Sequence, residues 1–337
     1  MLLPIRYGYR VEAERYQPDT LLGYAKLAYY AGFEFIPVSD HFHPWFHDRA
    51  ACQFSWSWMP AAAALIPKVK FGTIVSACVG RYHPALIAQA FATMDVMFPG
   101  RVFVALGTGE AMNDSPLGYA WPKFDERLER MREAVEILRA LWTSDFVNYN
   151  GKYFRLNGAN LYTKPKTQIP IYIAGYGPKA VTLVGKYGDG YATGSSAMST
   201  YLQTWKIIEA AAKSVGRDPD KISRNMEVFV AYDRDPEKAL SAARRWKPVI
   251  IPNVLNSPIH DPRELESLGG KISDIELTNM ISITTSADDL IKRAESAISL
   301  GINEIQFHNA GPSEEEFLDI CGKEVLPYLK QQYKEIN

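Results

Sequence analysis

A chain of 337 residues is long enough for one large α/β barrel with insertions or for two small domains, and 47% apolar with 22% charged residues is the make-up of a globular protein with a sizeable core. The formal net charge of −1 argues against nucleic acid or an anionic membrane as the main partner, and no apolar run reaches membrane-spanning length. Cys52, Cys78 and Cys321 are few, odd in number and widely spaced; with no h-region and cleavage site in Met1–Arg10, they predict a reducing, cytoplasmic setting.

The predicted elements alternate from the start. Ile5–Tyr9 reads as a strand, and Pro18-Asp19 opens a helix that runs through Ala31 and stops at Gly32. Phe33–Val38 is the second strand, followed by a long connection into a helix over Trp58–Ile66. Lys70–Ser76 is strand three with Pro84–Phe98 as its helix, and Arg101–Leu106 is strand four. Asp125 caps a helix whose Leu128, Met131, Val135, Leu138 and Trp142 form an apolar stripe. Residues 145–168 alternate around Asn150-Gly151, the signature of an inserted hairpin. Strands five to seven follow at Ile169–Ala174, Gly190–Thr193 and Glu227–Tyr232, with helices over Pro178–Tyr187, Thr200–Val215 and up to Trp246. The Pro-, Asn- and Ser-rich stretch 248–282 is a second, partly helical insertion. Ser286 caps a helix that stops at Gly301, Glu304–His308 is strand eight, and Ser313 to Glu316 is a capping box for the last helix. Eight apolar strands, each followed by a helix, predict a (β/α)8 TIM barrel formed by 1–337 as a single domain, its active site at the C-terminal strand ends.

Those ends collect Asp40-His41, Ser76-Ala77-Cys78, Thr108-Gly109-Glu110, Gly175-Tyr176-Gly177-Pro178, Gly194-Ser195-Ser196 and His308-Asn309. Gly177-Pro178 at a helix start offers free N–H groups to an anion, with Lys179 adding a charge, although such a pair is also an ordinary turn. Three of the six histidines, His41, His43 and His47, fall within seven residues. A metal site would need further imidazoles from strands five and six, where Asp189 is the one acidic residue nearby. The other chemistry is metal-free acid–base work by His41 and Glu110 across the barrel mouth; the plain structural reading is a loop-capping histidine and a lysine-paired glutamate.

Several motifs carry more than spacing. Ser39-Asp40-His41-Phe42-x-Pro44-Trp45, Ser57-Trp58-Met59, the run from Arg81-Tyr82 to Thr93-Met94, Gly107-Thr108-Gly109-Glu110-Ala111-x-Asn113, Gly188-Asp189-Gly190 and Phe307-His308 closely resemble the deazaflavin-dependent branch of the luciferase-like barrel family. Its best-known members are the F420-dependent glucose-6-phosphate dehydrogenase and the F420-dependent secondary alcohol dehydrogenase. The resemblance implies coenzyme F420 lying across the strand ends and hydride transfer from a carbinol carbon. It implies His41 as the base, Trp45 at the reacting centre and Glu110 managing a proton, with no metal. The implied coenzyme contacts are Asp40, Ile74, Val75, Ala77, Thr108, Gly109, Asn113, Tyr176, Gly177, Lys179 and Ala180, with a non-proline cis peptide at Ile74-Val75. Ala77 and Tyr176 replace the threonine and glycine of the sugar-phosphate enzyme, so they act through backbone or shape. A homodimer is also implied.

The sugar-phosphate members of this family hold the phosphate with two lysines and an arginine, positions that fall here at Ala197, Asn256 and Met280. None is cationic, although Lys247 or Lys271 lies near enough in sequence to substitute. The expected substrate is therefore a small uncharged secondary alcohol, oxidised to its ketone in a pocket of Trp45, Phe46, Cys78, Trp246 and the Pro248–Pro258 segment. The alternatives are a sugar-6-phosphate dehydrogenase with a rearranged phosphate site, an FMN-dependent monooxygenase of the same family, or a non-catalytic flavin-binding protein.

Overall fold

The structure, a computed structural model, describes residues 3–334. Met1 and Leu2, the start of the stretch read for a leader, and Glu335–Asn337, the end of the expected 1–337 unit, lie outside the described residues. The strands are β1 Arg6–Tyr9, β2 Phe35–Val38, β3 Lys70–Ala77, β4 Val102–Gly107, β5 Val147–Asn150, β6 Arg155–Ala159, β7 Ile171–Ala174, β8 Gly190–Gly194, β9 Ser223–Tyr232, β10 Ser282–Thr284 and β11 Glu304–Asn309. Eight of them pair in parallel in the order β9-β11-β1-β2-β3-β4-β7-β8, and β8 closes the circle by pairing Gly190–Gly194 with Ser223–Glu227 of β9. Helices cover the outside. This is the expected (β/α)8 barrel, and all its strands run the same way, so their C-terminal ends share one face.

β5 and β6 form the expected antiparallel hairpin. Its turn is tied to the helix Phe124–Thr143 by the buried Glu133, whose carboxylate accepts N–H bonds from Lys152, Tyr153 and Phe154 at 2.6, 3.1 and 3.0 Å. Some boundaries differ from expectation. The helix Phe124–Thr143 is not capped by Asp125, which sits in its first turn and takes the Lys179 ammonium at 2.7 Å. The helix expected to reach Trp246 is α only over Pro236–Ala243 and tightens to 3₁₀ over Arg244–Ile250, where Pro248 has no N–H to continue the α ladder. β9 begins at Ser223, well before Glu227, its start hidden by the polar residues Ser223–Asn225. The 248–282 insertion holds the helices Pro262–Gly269 and Asp274–Met280, and it ends against β10, which the sequence did not suggest. β10 pairs with Val230–Tyr232, the part of β9 that projects beyond β8, and so hangs the insertion over the barrel mouth.

In β3 the register against β4 shifts between Thr73 and Ser76, and the Ile74-Val75 peptide is cis, as the family resemblance implied. The bulge pushes Val75 toward β4, so only glycine fits opposite: a Cβ on Gly107 would stand 2.6 Å from Val75 Cγ2.

Candidate active site

At the C-terminal face a cavity of about 620 Å³ opens, lined by Gln306 and by Ile74, Val75, Thr108, Gly109, Tyr176 and Ala180. Much of the remaining lining is aromatic and aliphatic: Trp45, Phe229, Trp246, Val249, Leu255 and Met280. All three residues implied as catalytic, His41, Trp45 and Glu110, line it.

His41 Nε2 stands 3.1 Å from Glu14 Oε1, and both side chains are buried. Ser39 Oγ donates to the other oxygen of Glu14 at 2.6 Å, which holds the carboxylate in place. A carboxylate on Nε2 favours the tautomer with its proton there, leaving Nδ1 as the basic nitrogen; Nδ1 is buried without a protein partner. The Trp45 ring meets the imidazole edge-on at 5.9 Å. Glu110 receives Asn113 Nδ2 at 3.0 Å, and Asn113 Oδ1 takes the Phe42 N–H at 2.8 Å, so one amide ties the loop after β2 to the loop after β4. Burial pushes the Glu110 carboxyl above its usual range, against the opposing pull of His41.

Beside this pair lies a charged chain. His308, 2% exposed, places Nδ1 2.5 Å from Glu227 and Nε2 2.5 Å from Glu12, and Glu227 also receives Arg10 at 2.7 Å. Burial alone would lower the His308 pKa, but the two carboxylates outweigh it and the pKa is raised. Glu227 is buried too, which would raise its pKa, yet Arg10 and His308 bring it down to about 2. His308 stacks flat on Phe229, ring centres 3.9 Å apart. Farther from the cavity Arg15 links Glu12 to Glu314, which burial and Glu12 raise to about 7 against the pull of Arg15.

Glu314 thereby makes stability depend on pH. A carboxyl that keeps its proton to about pH 7 when folded, but ionises at its ordinary value when unfolded, binds more protons in the fold. Its contribution is present at low pH and is lost as pH rises through the folded pKa. Thermal melts of Glu314→Gln and wild type across this window should show wild type losing stability relative to the variant as pH rises toward 7. Parallel pH profiles would refute this assignment.

The remaining implied residues divide. Ile74, Val75, Thr108, Gly109, Tyr176, Gly177 and Ala180 line the cavity, whereas Asp40, Ala77, Asn113 and Lys179 do not. The Asp40 carboxylate is spent inside the protein, taking Ser76 Oγ at 2.5 Å, Arg81 Nη2 at 3.0 Å and Tyr82 OH at 3.0 Å. Of the implied substrate pocket, Trp45 and Trp246 line the cavity. Cys78 instead packs in the main core, and Phe46 is fully buried with its ring edge-on to Trp246. His43 and His47 line a separate cavity with His260. Among the described residues no three His, Cys, Asp or Glu side chains come together as a metal-binding group.

Sequence reasoning missed Arg10, Glu12, Glu14 and Glu227. The signal was there: Arg10-x-Glu12-x-Glu14 directly follows a strand, and Glu227 interrupts an apolar one, both costly placements for charges that have no task.

A flat, partly polar group with an anionic arm fits the cavity. Buried Thr193 Oγ1, Gln306 Oε1 and Arg10 Nε lack protein partners on its lining. Gly109 sits at φ 76°, a conformation that favours glycine and keeps the backbone bare there. Gly177, with nothing within 4 Å of a notional Cβ, precedes the helix Pro178–Tyr187, whose start has no side-chain cap. The free first-turn N–H groups suit a phosphate.

A family model described as luciferase-like monooxygenase matches residues 1–274, and the chain belongs to that family. Within it, two relatives are F420-dependent glucose-6-phosphate dehydrogenases. One, from Microbacterium testaceum, is 36% identical over 99% of this chain and 100% of its own; the other, from Nocardia farcinica, is 38% identical over 97% and 98%. A solved F420-dependent secondary alcohol dehydrogenase in complex with an F420-acetone adduct superposes with a TM-score of 0.93 at 37% identity, covering 96% of this chain and 99% of its own.

Proposed function

We propose that this protein is a coenzyme F420-dependent oxidoreductase that takes hydride from a small uncharged secondary alcohol and releases the ketone. The coenzyme assignment is supported by relatives of both kinds, all F420-dependent. When bound, the deazaflavin supplies a two-electron hydride acceptor. Ile74, Val75, Thr108, Gly109 and Tyr176 would hold its ring, and Gly177 and Ala180 at the uncapped helix start would hold its phosphate. His41 Nδ1 takes the hydroxyl proton as the carbinol C–H breaks, and Glu14 stabilises the imidazolium that results. Trp45 excludes water and orients the carbinol. Glu110, whose raised pKa suits a proton-holding group, serves the coenzyme side.

The observation that carries the substrate is the charge of the cavity wall. Among the described lining residues no cation lacks a carboxylate partner: Arg10 is paired with Glu227, and His308 is held between two carboxylates. Lys247, near enough in sequence to substitute, turns away to Asp274 at 2.9 Å and to the Ile272 carbonyl at 2.6 Å. Each missing charge-assisted bond would cost a phosphate about 1.5–3 kcal/mol. The aliphatic and aromatic wall suits a small apolar body instead. A homodimer and a cytoplasmic setting belong to the same reading; the three cysteines are free thiols.

Coenzyme F420 reduction, followed by loss of its visible absorbance, should proceed with isopropanol and not with glucose 6-phosphate. Reduction by the sugar phosphate alone would overturn the substrate assignment.

A further inference from the structure

The insertion over the barrel mouth is tied to the cavity by one buried guanidinium. Arg127, 1% exposed, has no carboxylate within ion-pair distance among the described residues, and its guanidinium carbon lies over the Trp121 ring, 4.0 Å from its centre. Its donors go to the carbonyls of Pro122 at 3.2 Å, Thr108 at 3.1 Å, Gly109 at 3.2 Å and Leu255 at 3.4 Å, and to Asn256 Oδ1 at 2.7 Å. Thr108 and Gly109 are among the residues assigned to the coenzyme ring; Leu255 and Asn256 are the part of the insertion that lines the same cavity. Arg127 therefore ties the loop after β4 to the insertion.

The same contact decides which way the Asn256 amide faces. A guanidinium can only donate, so it must meet the amide oxygen; turning the amide over would set N–H against N–H. With Oδ1 committed, Nδ2 is the free end, a donor polarised by the cation behind it, on a residue that lines the cavity and has no other protein partner for that nitrogen. Arg127 does not itself line the cavity, so Asn256 is the member of this pair that can meet a substrate.

Resting on the alcohol reading above, we infer that Asn256 is a specificity-determining residue, held by Arg127, that donates a hydrogen bond from Nδ2 to a second, uncharged acceptor oxygen of the substrate. The preferred alcohols are those carrying an ether, carbonyl or further hydroxyl oxygen away from the carbinol, in preference to plain alkanols.

A near-isosteric pair tests this: 1-methoxy-2-propanol and 2-pentanol differ by an oxygen in place of a methylene. The expected ratio of kcat/KM in wild type is about fivefold or more in favour of the ether, the effect of one neutral hydrogen bond. Asn256→Leu should collapse that ratio toward one. Asn256→Asp keeps the size and an oxygen for Arg127 but has no N–H to give, and should collapse it as well; the two substitutions lie in an exposed turn, so at least one folded variant is expected. Comparing each variant with wild type removes any intrinsic difference in reactivity between the two alcohols. Equal turnover of both alcohols by wild type, or a ratio that survives both variants, would overturn the inference while leaving the alcohol reading in place. Oxidation of neither alcohol would remove the alcohol reading itself, and this inference with it.

Discussion

His41→Ala is expected to lower turnover by about 10²-fold or more while coenzyme F420 still binds, since a positioned general base contributes on that scale. Geometry gives the reason. Nε2 is engaged by Glu14 at 3.1 Å, Glu14 is in turn held by Ser39, and Nδ1 is left buried and unpartnered at the cavity. Turnover with a secondary alcohol and coenzyme affinity by fluorescence titration, measured on the same preparation, separate the roles. Loss of turnover with binding kept is the expected pair of results. Activity within a few-fold of wild type would remove His41 as the base, and a wild type that binds coenzyme but turns over none of its candidate substrates would favour a non-catalytic flavin-binding protein.

The largest expected stability effect belongs to the next residue back. Asp40 is implied by family resemblance as a coenzyme contact, yet its carboxylate, 2% exposed, accepts from Ser76, Arg81 and Tyr82. Arg81 is almost as buried and also donates to the Asp40 carbonyl at 3.3 Å. Removing one partner of a buried ion pair leaves the other charge desolvated and unpaired, at a cost of about 3–5 kcal/mol. Asp40→Ala should therefore lower the urea midpoint sharply without coenzyme present. If apo stability were unchanged and only coenzyme affinity fell, Asp40 would be a ligand contact after all. A loss of activity in this variant therefore says nothing about chemistry until its folding has been measured.

Much of the site is legible in the linear sequence. Strand ends and family motifs single out His41, Trp45 and Glu110, and all three line the cavity. Asp40, Asn113 and Cys78 mark where such reading stops: each follows or joins the right strand, but a side chain at a strand end can turn to the ligand, to the next loop or into the core. The side chains of Asp40 and Asn113 have polar atoms engaged by neighbours, and Cys78 packs in the core.

Local chemistry alone marked most of the elements. Periodicity, Pro at helix starts, Gly32 at a helix stop, Asn150-Gly151 in a hairpin and Ser286 at an N-cap are interactions among residues a few positions apart, so a linear reading holds them. Closure of β8 on β9, the three-residue β10, the Arg10–Glu227–His308–Glu12 chain and the Arg127–Asn256 bond join positions that are far apart in sequence. Arg10 and Glu227 are 217 positions apart, and no local preference records that they meet. Only when the barrel closes do these groups share one desolvated site, where Arg10 and His308 hold the Glu227 carboxylate ionised.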